Sequence, residues 1–133
     1  MPHTFRIAQA ARLLGVSDDT VRRWVDQGLL PTTGATPVEI PGEALAARAV
    51  ALADEPEDPT GAVSSARNRF VGIVTRVRID GVMAQVDLQC GPHRIVSLMS
   101  AEAARELALV PGALAVASVK ATVVTVETPR ERI

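Results

Sequence analysis

The chain has 133 residues and a mass of 14.0 kDa, which suffices for one domain or for two small ones. Its 47% hydrophobic and 22% charged residues are typical of a globular protein, and the scarcity of aromatic residues predicts aliphatic cores. The net charge of -1 excludes a strongly basic protein that coats nucleic acid without sequence preference. The single cysteine, Cys90, excludes an internal disulfide. Because no apolar run reaches the ~18 residues that span a bilayer, we expect a cytoplasmic protein with no membrane partner.

An acidic segment divides the chain. Residues 54–63 begin with DEPEDPTG, in which carboxylates and prolines crowd together with little to bury. The hydrophobic pattern is helical before this segment and mostly alternating after it. We therefore predict a domain over residues 1–53, a linker over 54–63 and a second domain over 64–133.

The beginning of the chain predicts two short helices joined by a tight turn. Apolar residues at helical spacing predict a helix over residues 7–14, and Gly15 ends it. Ser17 is a typical N-cap for a second helix, whose apolar stripe includes Trp24. Two helices with this spacing predict a helix-turn-helix.

A wing and a third helix are expected next. Residues 30–40 predict a short hairpin wing, and Pro41 opens a helix over residues 43–52. The stretch FRIAQAARLLGVSDDTVRRWVDQGLLPTT resembles the small winged helix-turn-helix of the MerR and excisionase-like families, across most of residues 4–52. The wing departs from many relatives because it has threonines where they carry basic and aromatic residues.

This resemblance implies that the second helix binds a double-stranded DNA operator. In such folds the N-terminal residues of the second helix meet base edges, while flanking groups hold phosphates. We expect Thr20 and Arg23 to read bases, Arg22 to bind phosphate and the N-cap Ser17 to lie at the same interface. The alternatives are an ordinary solvated helix surface and the use of this fold to dock a protein.

The second domain predicts a small barrel. Alternating apolar residues around the Asp80-Gly81 turn predict a hairpin, and three further strands are expected, of which the last two cover Leu114–Val119 and Val123–Val126. A short helix over Ala101–Leu107 is expected before them. Five strands and one helix describe an OB-like barrel, so the chain is expected to be a two-domain α + β protein.

Two motifs of this domain resemble those of the Mop domain of molbindins, a TOBE-type oxyanion module. They are Ser65-Ala66-Arg67-Asn68 and Val119-Lys120-Ala121-Thr122, and the similarity covers about residues 64–127. It implies a molybdate or tungstate site between subunits, with Ser100 supplied by a neighbouring chain and the other groups by Ser65, Ala66, Arg67, Lys120 and Ala121. The usual motif has threonine at Ser100 and serine at Ala103.

The chemistry of these residues suits a tetrahedral dianion. Molybdate only accepts hydrogen bonds, so its site needs hydroxyls, amides and cations, and the residues named above include no carboxylate. Lys120 is the only lysine in the chain, which favours a required ammonium over a chance residue on an edge strand. No metal cation site is assigned, because Cys90 and His93 lack partners at ligand spacing.

Together the domains favour a transcription regulator that senses molybdate or tungstate and controls oxyanion uptake or molybdenum homeostasis. The alternative is a storage or buffering molbindin whose helix-turn-helix docks to a protein or tethers the assembly. No catalytic residue is assigned and an enzyme is not expected, because two histidines and one cysteine supply no nucleophile–base pair. A barrel of about 65 residues has little interior of its own, so we expect a homo-oligomer built through the barrel, a dimer or a trimer of dimers.

Overall fold

The computed structural model describes residues 3–54 and 57–130. It divides the chain into two compact units, Met1–Glu55 and Pro56–Ile133. Glu55 and Pro56 of the predicted linker lie outside the described residues, as do residues 1–2 and 131–133 at the ends of the predicted domains. Within the described part of the chain, no helix is both long enough and apolar enough to cross a membrane.

The N-terminal unit is mainly helical. In chain order it contains β1 (Thr4–Phe5), α1 (Ile7–Leu14), α2 (Asp18–Asp26), β2 (Ile40–Pro41) and α3 (Gly42–Leu52). Gly15 ends α1 with a φ of 69°, a left-handed conformation that favours glycine. The Ser17 hydroxyl accepts the N–H of Thr20 at 3.1 Å and thereby caps α2. The predicted helices are confirmed, and α3 begins one residue earlier than expected.

The segment between α2 and α3 is a loop, not the hairpin wing predicted over residues 30–40. Pro31 and Pro37 have no N–H to donate, so two of the donors that a hairpin ladder could use are missing from the segment. One hydrogen bond closes the loop, from the N–H of Thr33 to the carbonyl of Glu39 at 2.9 Å. Ile40 pairs instead with Phe5, which precedes α1.

The core of the N-terminal unit is built around α2. Trp24 is 7% exposed, and the guanidinium of Arg48 on α3 stacks over its ring, 4.5 Å from the ring centre. This contact and the shared core hold α3 against α2. The buried members of the core are Ala10, Ala11, Val21, Trp24, Leu30, Ile40 and Leu45.

The C-terminal unit is an antiparallel sheet with one short helix. In chain order it contains β3 (Asn68–Asp80), β4 (Met83–Cys90), β5 (His93–Ser100), α4 (Ala101–Glu106) and β6 (Leu114–Val119). The strand order is β5-β4-β3-β6. The first part of β3 pairs with β6 and the later part with β4, and a bulge between Val74 and Arg76 lies near the change of partner. This curled antiparallel sheet is consistent with the expected OB-like fold.

The sheet has four strands within the described residues, where five were expected. After β6, residues Ala121–Val123 form a 3-10 turn in which the N–H of Val123 donates to the carbonyl of Lys120 at 3.0 Å. This turn takes the chain away from the sheet, and residues 123–126 are exposed and belong to no strand. The alternating valines alone do not reveal whether a strand edge lies within reach of them.

The inner face of the sheet is aliphatic, as the composition predicts. Its buried residues are Val74, Val86, Leu88 and Cys90. Gly72 lies where β3 passes close to β4, and a Cβ at this position would be 2.5 Å from the carbonyl oxygen of Gln89. Glycine is therefore needed at position 72, because the atom in its way belongs to the backbone.

Asp87 is the one buried charged residue among residues 3–54 and 57–130, with 5% of its surface exposed. Its carboxylate accepts hydrogen bonds from the Gln85 amide at 3.1 Å and from Arg94 Nη2 at 2.8 Å. These bonds, that of Gln85 first and that of Arg94 second, hold the pKa of Asp87 below its ordinary value of 3.8. The carboxylate is therefore charged and paired at neutral pH.

We expect Asp87 to contribute to the acid sensitivity of the C-terminal unit. Because its pKa is lower in the folded state, its stabilising effect is complete above the unfolded value near 3.8 and is lost as the pH falls through the folded value. Asp87→Asn should therefore flatten the fall in the free energy of unfolding in acid, measured by denaturant titrations at successive pH values. Asp80→Asn, at an exposed position of the same sheet, is the control, and an unchanged acid profile in Asp87→Asn would contradict the expectation.

Candidate functional site

The two motifs of the predicted oxyanion site meet at one end of the β3–β6 ladder. Asn68 at the start of β3 pairs with Val119 at the end of β6, and the Asn68 side-chain amide donates to the Val119 carbonyl at 3.3 Å. Opposite residues of an antiparallel pair lie about 5 Å apart. Arg67 precedes Asn68 and Lys120 follows Val119, so this register brings the two cations to the same end of the sheet.

Both of these cations are exposed. Within the described residues, neither Arg67 nor Lys120 takes part in a salt bridge, whereas the neighbouring Arg69 lies 2.7 Å from Asp58. Cations without a carboxylate partner are available for charge-assisted hydrogen bonds to an anion. The positive charge at this end of the sheet is therefore only partly neutralised by the chain itself.

Some of the backbone and hydroxyl groups around the two cations already form hydrogen bonds within the chain. Ser65 is exposed, but the N–H of Ala66 donates to the hydroxyl of Ser64 at 3.1 Å, so an anion would have to displace that bond. Ala121 begins the 3-10 turn, and the first N–H groups of such a turn have no acceptor within it. A hydroxyl therefore lies near Arg67, and backbone amides follow Lys120.

The structure places Ser100 away from the other predicted anion-binding residues. Ser100 ends β5 and pairs with Met83, which pairs with Asp80 at the far end of β3. The six residues of β6 alone span about 20 Å, and Lys120 lies beyond the opposite end of that strand. The Ser100 hydroxyl accepts a backbone N–H of α4 at 3.0 Å and keeps its own proton for a further partner. A single chain therefore does not bring Ser100 to Arg67.

Asp58 belongs to the predicted linker but contributes to this end of the sheet. Its carboxylate lies 2.7 Å from Arg69 and accepts the N–H of Thr60 at 2.9 Å. The hydrogen bonds of Thr60 and then of Arg69 hold the pKa of Asp58 below its ordinary value. The Asp-Pro-Thr sequence is typical of such a turn, but the acidic residues around it led to the prediction of a linker.

The exposed side of α2 carries the residues predicted to bind DNA. A helix turns by about 100° per residue, so Asp19 and Arg23, two positions on either side of the buried Val21, lie opposite the core. Thr20 and Arg22 lie on the two flanks of the helix. The face that points most directly away from the core therefore combines a carboxylate with a guanidinium.

Hydrogen bonds within α2 already engage three of these residues. The hydroxyl of Thr20 is 2.9 Å from the hydroxyl of Ser17, so both residues take part in the N-cap. Arg22 Nη1 is 3.1 Å from Asp19 Oδ1. Arg23 forms no salt bridge with any residue that the structure describes, which leaves its guanidinium available.

Cys90 and His93 pair directly across the β4–β5 turn. Cys90 is buried, and burial raises the pKa of its thiol. No group of three or more potential metal-ligating side chains occurs among the residues that the structure describes.

Comparison with known proteins identifies both halves of the chain. Residues 6–37 match the family model described as "MerR family regulatory protein", and residues 64–126 match the "TOBE domain". MopII from Clostridium pasteurianum is 34% identical, over 50% of this chain and 100% of MopII, with a TM-score of 0.47. The chain belongs to the TOBE family of the molbindin type. The resemblances to MerR-like and Mop proteins that the motifs predict are thereby confirmed.

Two further solved proteins are similar to this TOBE protein. A molybdate-binding protein from Sporomusa ovata is 28% identical over 50% of this chain and 100% of that protein, with a TM-score of 0.48. The cytoplasmic molybdate-binding protein ModG, solved with molybdate bound, is 33% identical over 62% of this chain and 68% of ModG, with a TM-score of 0.44. No curated protein matches the chain. The matched families consist of binding and regulatory domains rather than enzymes.

Proposed function

We propose that this TOBE protein is a transcription regulator that binds molybdate or tungstate and controls oxyanion uptake or molybdenum homeostasis in the cytoplasm. The division we propose is a DNA-binding domain over residues 1–53, a linker over 54–63 and an anion-binding domain over 64–133. The observation that carries the proposal is the Asn68–Val119 pair, which brings two cations together in a chain whose other half matches a family of regulatory proteins.

The anion site we propose contains donors and no carboxylate. One chain supplies hydroxyl, amide and cationic groups from Ser65, Ala66, Arg67, Lys120 and Ala121. A tetrahedral dianion that only accepts hydrogen bonds suits such a set. Phosphate suits it less well, because it is partly protonated near neutral pH and its proton would need an acceptor. The names of the similar solved proteins, which bind molybdate, support the same ligand.

A second copy of the chain completes the proposed site. Ser100 lies at the opposite end of the sheet from Lys120, so it reaches an anion only from a neighbouring chain. Apolar surface supports such an assembly: the cross-strand partners Ile73 and Leu114 are 53% and 47% exposed. A groove of about 520 Å³ with a mainly apolar lining also opens beside β5 and β6, the two outer strands of the sheet.

Light scattering on the full chain tests this assembly. The expected result is a dimer or a trimer of dimers, because closed symmetry pairs each site with the Ser100 of another copy. A symmetric oligomer would also supply the pair of helix-turn-helix units with which such proteins bind two half-sites of an operator. A monomer that binds molybdate with full affinity would contradict the shared site.

The DNA-binding role is tested by two neighbouring arginines with different positions on α2. Arg23 lies opposite the core, so Arg23→Ala should relax the sequence preference of the protein for DNA. Arg22 lies on a flank, so Arg22→Ala should weaken binding to all sequences and reduce the salt slope by about one unit. Mobility shifts with selected and unrelated duplexes separate the two effects. If neither variant differs from the wild type on any duplex, α2 does not read DNA in this way.

A storage or buffering molbindin remains the second candidate, and the charge of α2 favours it. The helix carries three aspartates and two arginines, which sum to a net charge of -1. A helix that docks to a basic protein surface or tethers an assembly would suit this charge, whereas phosphates repel it. Molybdate binding by a chain that shifts no duplex of any sequence would support the second candidate.

A further inference from the structure

The net negative charge of α2 centres on one aspartate at its N-terminal end. The side chain of Asp19 is 92% exposed and lies in the first turn, on the side of the helix opposite the core. Arg23 lies one turn further along the same side. Asp18 lies nearer the core side of the helix, and Asp26 is the last residue of α2. Asp19 is therefore the carboxylate nearest to any base that the beginning of α2 meets.

The position of the Asp19 carboxylate is restrained by its neighbour. Asp19 Oδ1 lies 3.1 Å from Arg22 Nη1, on the next turn of the helix. An ion pair this exposed contributes little to stability, and a carboxylate in the first turn also favours the positive N-terminal end of the helix. The pair does leave Oδ2 available to accept a hydrogen bond in front of the helix.

The major groove of DNA offers few partners to a carboxylate. A carboxylate only accepts hydrogen bonds, and the phosphates, guanine N7 and O6, and thymine O4 are acceptors that repel it. The donors on base edges in this groove are the amino groups of cytosine N4 and adenine N6. A carboxylate held at this point therefore discriminates between bases instead of adding general affinity.

We propose that Asp19 is a specificity-determining residue of the DNA site, which accepts a hydrogen bond from a cytosine or adenine amino group and rejects guanine and thymine at that position. This inference depends on the proposed DNA-binding function. Arg23, on the same side of the helix, reads an adjacent position, so the operator half-site combines a cytosine or adenine with a base that a guanidinium recognises. Guanine is the usual partner of such a group.

Selection of bound sequences from a random duplex library tests the proposal, with the full chain as wild type, Asp19→Ala and Asp19→Asn. The wild type should enrich cytosine or adenine at one position of the half-site. In Asp19→Ala that preference should fall by between about 5-fold and 100-fold, the usual effect of one base pair, while other positions keep theirs. Binding to unrelated duplexes should tighten, because a negative charge has been removed. Asp19→Asn should shift the preference toward adenine, which an amide recognises through N6 and N7.

Asp26→Ala is the matched control, since it removes the same charge from the distal end of α2 and should leave every base preference unchanged. A wild-type preference retained in Asp19→Ala would overturn the proposal while the DNA-binding function stands. A uniform loss of affinity for all sequences would overturn it as well, because Asp19 would then only position Arg22. Failure of the wild type to select any sequence would overturn the DNA-binding function itself.

Discussion

Trp24→Ala is expected to unfold the N-terminal unit. Trp24 is 7% exposed in the core, and Arg48 stacks on its ring at 4.5 Å. Removing a buried tryptophan side chain costs about 3–5 kcal/mol. A unit as small as Met1–Glu55 has a total stability of roughly 3–8 kcal/mol, from typical values per residue. The substitution therefore removes a large part or all of the free energy that keeps α2 folded.

Thermal unfolding followed by the helical circular dichroism signal measures this loss. Trp24→Phe is the control, because phenylalanine keeps an aromatic ring in the core and should retain a cooperative transition. DNA binding should disappear in Trp24→Ala together with the helical signal. A Trp24→Ala chain that melts like the wild type would mean that the core does not depend on this residue.

Lys120→Ala is expected to weaken molybdate binding by about 10- to 150-fold. The substitution leaves a dianion short of one charge-assisted hydrogen bond, which contributes about 1.5–3 kcal/mol. Lys120 is exposed and takes part in no salt bridge within the described residues, so its loss leaves no partner unpaired there. The effect should therefore appear in ligand affinity and not in the free energy of unfolding.

Calorimetric titration with molybdate measures the change, with Arg12→Ala as the matched control. Arg12 is an exposed cation in the last turn of α1, in the N-terminal unit, and its removal should not alter affinity. Lys120→Arg keeps the charge but replaces the compact ammonium group with a larger, planar guanidinium group. It should recover part of the affinity. Equal affinity in Lys120→Ala and the wild type would remove Lys120 from the site.

Local sequence patterns predicted the structure correctly where a segment forms its hydrogen bonds within itself. The bounds of α1 follow from apolar spacing and Gly15, and α2 follows from the Ser17 cap. The predictions of a hairpin wing and of a fifth strand were wrong, because a strand forms only where another strand pairs with it. Proline removes the backbone donors at positions 31 and 37, and a turn after Val119 leads the final valines away from the sheet. Alternation does not reveal either constraint.

The candidate site was predictable only through resemblance. Arg67 and Lys120 are 53 positions apart (120 − 67), and nothing in their local sequences indicates that strand register brings them together. The hydrogen bond from the Ala66 N–H to the Ser64 hydroxyl and the pairing of Asp58 with Arg69 were not predicted. The first lies in a short turn over residues 64–66, and the second involves a residue of the segment predicted to be a linker. The contribution of Ser100 from a neighbouring chain stays a prediction.

The end of the β3–β6 ladder is the proposed binding site of a tetrahedral oxyanion. Parallel calorimetric titrations of the full chain with molybdate, tungstate and sulfate test this site. We expect saturable binding of molybdate or tungstate that Lys120→Ala weakens, with weaker binding of sulfate. Absence of binding by both molybdate and tungstate, or sulfate binding as tight as theirs, would contradict it.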